Sequence, residues 1–173
     1  MDVWYPAKWL IMSLIRVIFW LVRAAKPIPR SDLALSYLPS TGPMSPPKAL
    51  RIHLPKTTKP EGLPIHVHVH GSDFCLPTYG MDHEYCSWLA NAVPCVVVDV
   101  DHRKPPTHPA PIPANDIRDA LKAARRIGAE RGWDTQRISI GGMSSGGCLS
   151  LIEAARAGKD GEPLAAVIAF YPS

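Results

Sequence analysis

The chain has 173 residues, 46% of them hydrophobic and 20% charged, with a formal net charge of +4. That length supports one domain with a real core, and that balance excludes disorder. The positive charge is mild and scattered over residues such as Lys8, Arg16, Arg23 and Lys26. With no basic run or interleaved aromatics, it excludes nucleic acid as a partner. The four cysteines, Cys75, Cys86, Cys95 and Cys148, show no C-x-x-C spacing and are too sparse for a disulfide scaffold. They read as buried or free thiols in a reducing, cytoplasmic compartment. No internal repeat is present. The 19 prolines cluster, nine between Pro27 and Pro64 and six between Pro94 and Pro113.

Residues Trp9 to Val22 are almost wholly apolar, interrupted by Ser13 and Arg16 and flanked by Lys8 and Arg23. At 3.6 residues per turn the basic side chains fall on a narrow stripe opposite a broad apolar face. The run is shorter than the roughly 20 residues needed to cross a bilayer, and a charge sits at its middle. It also lacks the uninterrupted apolar core and cleavage site of a signal peptide, which disfavours secretion. Three readings stay open. The helix is a lid packed over the domain, or an interfacial anchor on an ER-type membrane, helped by Trp4, Tyr5, Trp9 and Trp20, or a secretory or spanning segment.

Residues 26–48, rich in proline and serine, read as an extended connector. Alternation over Ala49–Leu54 and strict period-two alternation over Pro64–His70 predict strands. Met81–Ala92 predicts a helix. The β-branched run Pro94–Val100 predicts a strand buried on both faces. A proline-rich loop follows from His102 to Pro113. Helical spacing then holds over Asp116–Arg131 and stops at Gly132. Ile138–Ile140 and Leu164–Phe170 predict two more strands around a helix that starts near Cys148. Strands alternating with helices imply a parallel α/β sheet with its functional loops at the strand C-termini. The expected organisation is therefore residues 1–48 as helix and connector, facing the site or a membrane, and residues 49–173 as an α/β domain.

Between the last two strands stands Gly142-Met143-Ser144-Ser145-Gly146, the G-x-S-x-G pattern in a strand–turn–helix context. Such a turn holds its central serine at a strained backbone angle, and side chains two residues to either side would strike neighbouring backbone. The frame selects Ser144, because centring on Ser145 would need glycine at Met143. His70-Gly71-Ser72-Asp73 sits at the end of another strand and can bring backbone N–H donors toward the same point.

Three stretches in this order resemble the α/β-hydrolase fold, specifically its hormone-sensitive-lipase-like esterase branch of fungal type. They are His70-Gly71-Ser72-Asp73-Phe74, then Asp101-His102-Arg103-Lys104-Pro105-Pro106 running through to Pro113-Ala114-Asn115-Asp116, then Gly142-Met143-Ser144-Ser145-Gly146-Gly147. The resemblance implies a three-layer sandwich around a mostly parallel sheet, ending after about the sixth strand, and no cofactor or metal. It implies Ser144 as nucleophile, Gly71, Ser72, Asp73 and Ser145 as the oxyanion-hole positions, and a small carboxylic ester as substrate. It makes Asp101, Arg103 and Asp116 structural supports of the loops.

Three residues depart from the family pattern. Asp73 stands where the family has glycine, and its charge must turn away from an oxyanion. His102 replaces a tyrosine, and Met143 replaces the acidic residue beside the nucleophile. In this fold the triad runs Ser, then Asp or Glu, then His. After Ser144 stand Glu153, Asp160 and Glu162 but no histidine, the last of the seven being His108. The chain thus resembles the N-terminal portion of an esterase, expected to be nearly inactive alone. Upstream His70 and His102 are the substitutes to consider, although the family role of His70 is to shape the oxyanion loop. An unpaired apolar strand at 164–170 would favour self-association.

Two other classes compete. One is a non-catalytic hydrolase relic that serves as an interaction module. The other is a zinc hydrolase built on the H-x-H spacing of His66, His68 and His70. Residues i and i+4 on a strand lie about 13 Å apart, so His68 and His70 are the pair that could share an ion.

Overall fold

The computed structural model describes residues 5–24, 31–38, 48–56, 58–76, 78, 80 and 82–172. Its elements in chain order are α1 (Tyr5–Ala24), β1 (Leu33–Leu38), β2 (Lys48–His53), β3 (Pro64–Val69), α2 (His83–Ala92), β4 (Val96–Val100), α3 (Ile112–Arg131), β5 (Asp134–Met143), α4 (Ser145–Lys159) and β6 (Ala166–Phe170). Met81, the expected start of α2, lies outside the described residues, as do Trp4 and most of the connector, at 25–30 and 39–47. The side chains of Tyr5, Lys8, Trp9, Trp20 and Arg23 are outside them too.

The strands form one sheet in the order β1-β2-β4-β3-β5-β6. The pairs β3–β4, β3–β5 and β5–β6 are parallel, whereas β1–β2 and β2–β4 are antiparallel. Side chains alternate across a strand, so β4 feeds two cores. Val96, Val98 and Val100 join the main core, with Ile117, Ala120, Leu121, Ala124 and Ile127 of α3 and Leu149 and Ala157 of α4. Val97 points to the other face, where it meets Cys86 and Ala90 of α2. Helices on both faces complete the three layers. The continuous β-branched run of β4 is wholly buried, as a strand covered on both sides requires.

The expected connector contributes β1. Leu33, Ala34, Leu35 and Ser36 pair with Ile52, Arg51, Leu50 and Ala49, and Leu33 and Leu35 pack against the main core. Two leucines at period two, sitting among prolines, drew the strand into the sheet despite the surrounding breakers. The helix α3 starts at Ile112 rather than Asp116 and takes Pro113 into its first turn. There the missing proline N–H has no intrahelical partner to lose. It stops at Gly132, whose φ of 73° is left-handed, as the sequence predicts.

The outermost strand β6 pairs with β5 and exposes Val167, Ile168 and Phe170 by 40–45%. Cys75, Cys86, Cys95 and Cys148 are free thiols. Burial pushes Cys95 up to about 11, so this thiol is protonated at neutral pH.

Candidate active site

The turn between β5 and α4 places Ser144 at φ 51°, ψ −126°. Few L-residues adopt that region, and those that do are held there by surrounding structure. The enforcing contacts are close. A Cβ on Gly142 would lie 2.2 Å from the Val69 carbonyl oxygen, and one on Gly146 would lie 2.1 Å from the same atom. Only glycine lets the elbow press this tightly onto the end of β3. The Ser144 N–H donates to the Phe170 carbonyl at 2.9 Å, which ties the turn to the end of β6.

The loop after β3 lies against this turn. A Cβ on Gly71 would stand 3.0 Å from the Met143 carbonyl oxygen and 3.7 Å from Ser144 Cβ. Of the four expected oxyanion positions, Gly71, Ser72 and Ser145 are thus brought together at the elbow, but their N–H groups are not equivalent. The Gly71 N–H supports the Asp82 carboxylate. The Ser72 N–H donates to Ser145 Oγ at 3.0 Å. Two of the four expected N–H groups, those of Gly71 and Ser72, are thus already engaged. Asp73 has φ 48° and is exposed. Its short polar side chain tolerates the left-handed angle, and water screens its charge.

Behind the loop lies a buried polar layer. His70 Nδ1 bonds the Gly71 carbonyl at 3.1 Å, its ring stacks on His102 at 5.2 Å, and its Nε2 stands 3.7 Å from Asp101 Oδ1. Asp101 also receives Lys104 Nζ at 2.7 Å and Lys48 Nζ at 3.2 Å. Burial alone would raise this carboxyl, but Lys104, His70 and Lys48 hold it well below the usual range. His102 is driven well below its ordinary value by burial, with Lys104 adding to the effect, and its Nδ1 lies 2.9 Å from the Arg103 carbonyl. It is thus a neutral ring serving the loop. Arg103 grips fully buried Asp116 through Nη2 at 2.6 Å, Nε at 3.0 Å and its own backbone N–H at 2.8 Å. Of the expected supports, Arg103 and Asp116 thus knit the loop after β4 to α3, and Asp101 ties it to Lys48 of β2.

The H-x-H histidines are divided among separate partners. His66 bonds Ser139 Oγ at 2.9 Å, and burial pushes it down to about 4. His68 Nε2 bonds Asp82 Oδ2 at 2.8 Å. The His68 and His70 rings thus serve different carboxylates, Asp82 and Asp101, and not one shared centre.

A family model for the alpha/beta hydrolase fold matches residues 66–173. The chain belongs to the α/β-hydrolase fold family. Esterase LipI of Mycobacterium tuberculosis is 31% identical over 144 residues, which are 82% of this chain and 43% of LipI. Carboxylesterase NlhH of the same organism is 34% identical over 128 residues, 72% of this chain and 39% of its own length. Among solved structures, a bacterial heroin esterase superposes with a TM-score of 0.78 at 26% identity, over 94% of this chain and 52% of its own. The thermostable carboxylesterase EstE1 from a metagenomic library gives 0.75 at 26% identity, over 94% and 54%. The chain spans less than half the length of these curated relatives. Further relatives come from plants and a fission yeast, a wider range than the fungal type expected from the motifs.

In this α/β-hydrolase fold the sequence left two site features unread. Arg16 of α1 donates through Nε and Nη2 to the Cys75 carbonyl at 3.0 and 2.9 Å, and through Nη2 to the Pro105 carbonyl. It docks α1 onto the loops that follow β3 and β4. A charge in the middle of an apolar helix was its one visible signal. Asp82, which joins the Gly71 N–H to His68, carried none.

Proposed function

We propose that this chain carries the nucleophile-bearing half of a hormone-sensitive-lipase-like carboxylic-ester hydrolase. Ser144 Oγ attacks the ester carbonyl, its proton passes to a base as the Oγ–C bond forms, and the backbone N–H groups of Asp73 and Ser145 receive the oxyanion. One observation carries this reading: a serine at φ 51°, wedged between two glycines that admit no Cβ. The esterase relatives support a small carboxylic ester as substrate. The base is the missing component, since no histidine follows His108 in the 173 residues. Without one the serine is a weak nucleophile, and only binding and oxyanion stabilisation remain.

The expected result is that the 173-residue chain hydrolyses short-chain nitrophenyl esters barely above buffer. In a longer chain carrying an acid and a histidine after the elbow, Ser144→Ala should lower kcat by about 10⁴ or more. Brisk turnover by the 173-residue chain, lost in Ser144→Ala, would show that an upstream group serves as base. Turnover in the longer chain untouched by Ser144→Ala would remove Ser144 from the mechanism.

A second reading concerns α1. Leu10, Ile11, Leu14, Val17, Ile18 and Leu21 are each more than half exposed, on positions that share one side of the helix. No helix among the described residues is long and apolar enough to cross a membrane. We propose that α1 is a lid pinned through Arg16, with its outer face resting in the interface of a cytoplasmic, ER-type membrane. Flotation with anionic phospholipid vesicles should carry the full chain but not one lacking residues 1–24. A full chain that stays with the soluble fraction leaves α1 as a lid alone.

A further inference from the structure

The α2 face of the sheet holds a second polar cluster that the hydrolase chemistry does not use. His53 closes β2, Asp99 lies in β4 and His83 opens α2. Each is at most 2% exposed. His83 Nε2 stands 3.6 Å from Asp99 Oδ2, and the His53 and His83 rings meet edge-on at 5.4 Å. One ligand-capable atom from each of the three lies within 4.8 Å of the others.

Two members of the cluster, His53 and Asp99, are poorly satisfied by the protein. Among the described residues, neither oxygen of Asp99 and not the Nε2 of His53 has a hydrogen-bond partner. A carboxylate sealed from water without hydrogen bonds costs several kcal/mol, and such groups in native proteins are paired or coordinate metals. Arg51, the cross-strand neighbour of Asp99, adds positive potential, but its Nη1 likewise makes no hydrogen bond. It screens the carboxylate without satisfying its oxygens.

We propose that His53, His83 and Asp99 bind one divalent transition-metal ion, for which zinc is the best chemical match. Two imidazoles and a carboxylate suit zinc. With bonds of about 2.0–2.1 Å, a tetrahedral centre needs ligand atoms roughly 3.4 Å apart. The His83–Asp99 edge of 3.6 Å is already close to that, and the widest separation closes by small side-chain rotations. The second Asp99 oxygen or one water completes the shell. With every ligand buried, the ion is structural: it staples the start of α2 to β2 and β4. It also steadies Asp82, the residue before His83, and through Asp82 the Gly71 N–H and His68. The site is separate from the H-x-H pair considered from sequence.

The test is metal content and affinity of the whole chain, purified without a metal-affinity tag. Elemental analysis after incubation with zinc and desalting should give about one zinc per chain, and zinc should raise Tm by linkage. Cobalt substitution should give the intense visible bands of a four-coordinate site. His53→Gln and Asp99→Asn should each weaken binding at least about tenfold, whereas His68→Ala should leave the stoichiometry intact. Wild-type protein that retains less than about a tenth of an equivalent of zinc, with Tm unmoved, overturns the proposal even if both variants fail to fold. Loss of zinc in His68→Ala, with His53→Gln binding normally, overturns it by moving the ion to the H-x-H pair.

Discussion

Gly146→Ala is expected to destabilise the chain by at least about 4 kcal/mol, most of the stability of a domain at the low end of the usual range. The added Cβ would stand 2.1 Å from the Val69 carbonyl oxygen and 2.7 Å from that of His70. Both atoms are backbone at the end of the central strand, so no side chain can rotate away. Relief requires pulling the first turn of α4 off β3, which also separates Ser144 from the Gly71 loop. A second glycine in the same helix provides the contrast. Gly158 has nothing within 4 Å of its would-be Cβ, so Gly158→Ala should be neutral or stabilise by up to about 1 kcal/mol through helix propensity. Urea unfolding followed by circular dichroism checks both. Equal stability of the two variants would mean that the elbow is not compressed against β3, and the reading of Ser144 as a serine held in strain would go with it.

How much of this was legible follows from the range over which each signal acts. The elbow pattern is local: glycines two residues to either side of a serine, between an apolar strand and an apolar helix, mark the turn within five residues, even though the backbone they make room for belongs to the end of β3. The buried run of β4 and the left-handed stop at Gly132 are local in the same sense. The strand β1 was missed because its two core leucines stand among prolines that dominate any local reading, and only the partner strand β2 gives them a use. The donors of the oxyanion loop cannot be ranked from sequence for a related reason. Sequence places Gly71 and Ser72 in the right loop, but it cannot show that Asp82, eleven positions on, and the Ser145 hydroxyl already occupy their N–H groups. The cluster of His53, His83 and Asp99 is more remote still. Its members come from three elements with no shared spacing, so nothing in the order of residues marks them as neighbours. The H-x-H pattern drew attention to β3, yet its histidines turned out to be divided among a serine and two carboxylates.

The second large effect lies in the support of the loop after β4. Asp116→Ala should cost about 3–5 kcal/mol, the range for breaking a buried ion pair by removing one partner. Asp116 is completely buried in α3 and accepts the Arg103 backbone N–H as well as its guanidinium. Its loss takes the carboxylate from a half-buried guanidinium and the acceptor from a backbone donor at once. Arg103→Ala should cost at least as much, because it strands a carboxylate that has no access to water, whereas the Arg103 head keeps some. Asp116→Asn should fall between these variants and wild type, since an amide oxygen still accepts the backbone N–H while the charge attraction is gone. The paired replacement Arg103→Met with Asp116→Leu should recover much of the loss, as apolar substitutes of similar volume do for buried ion pairs. Denaturant midpoints order the four variants, and proteolysis across residues 102–111 reports whether the loop has come loose. If Asp116→Ala lies within about 1 kcal/mol of wild type, the pair behaves as a surface bridge. The loop then owes its position to Lys48 and Lys104 on Asp101 and to Arg16 on Pro105, not to α3.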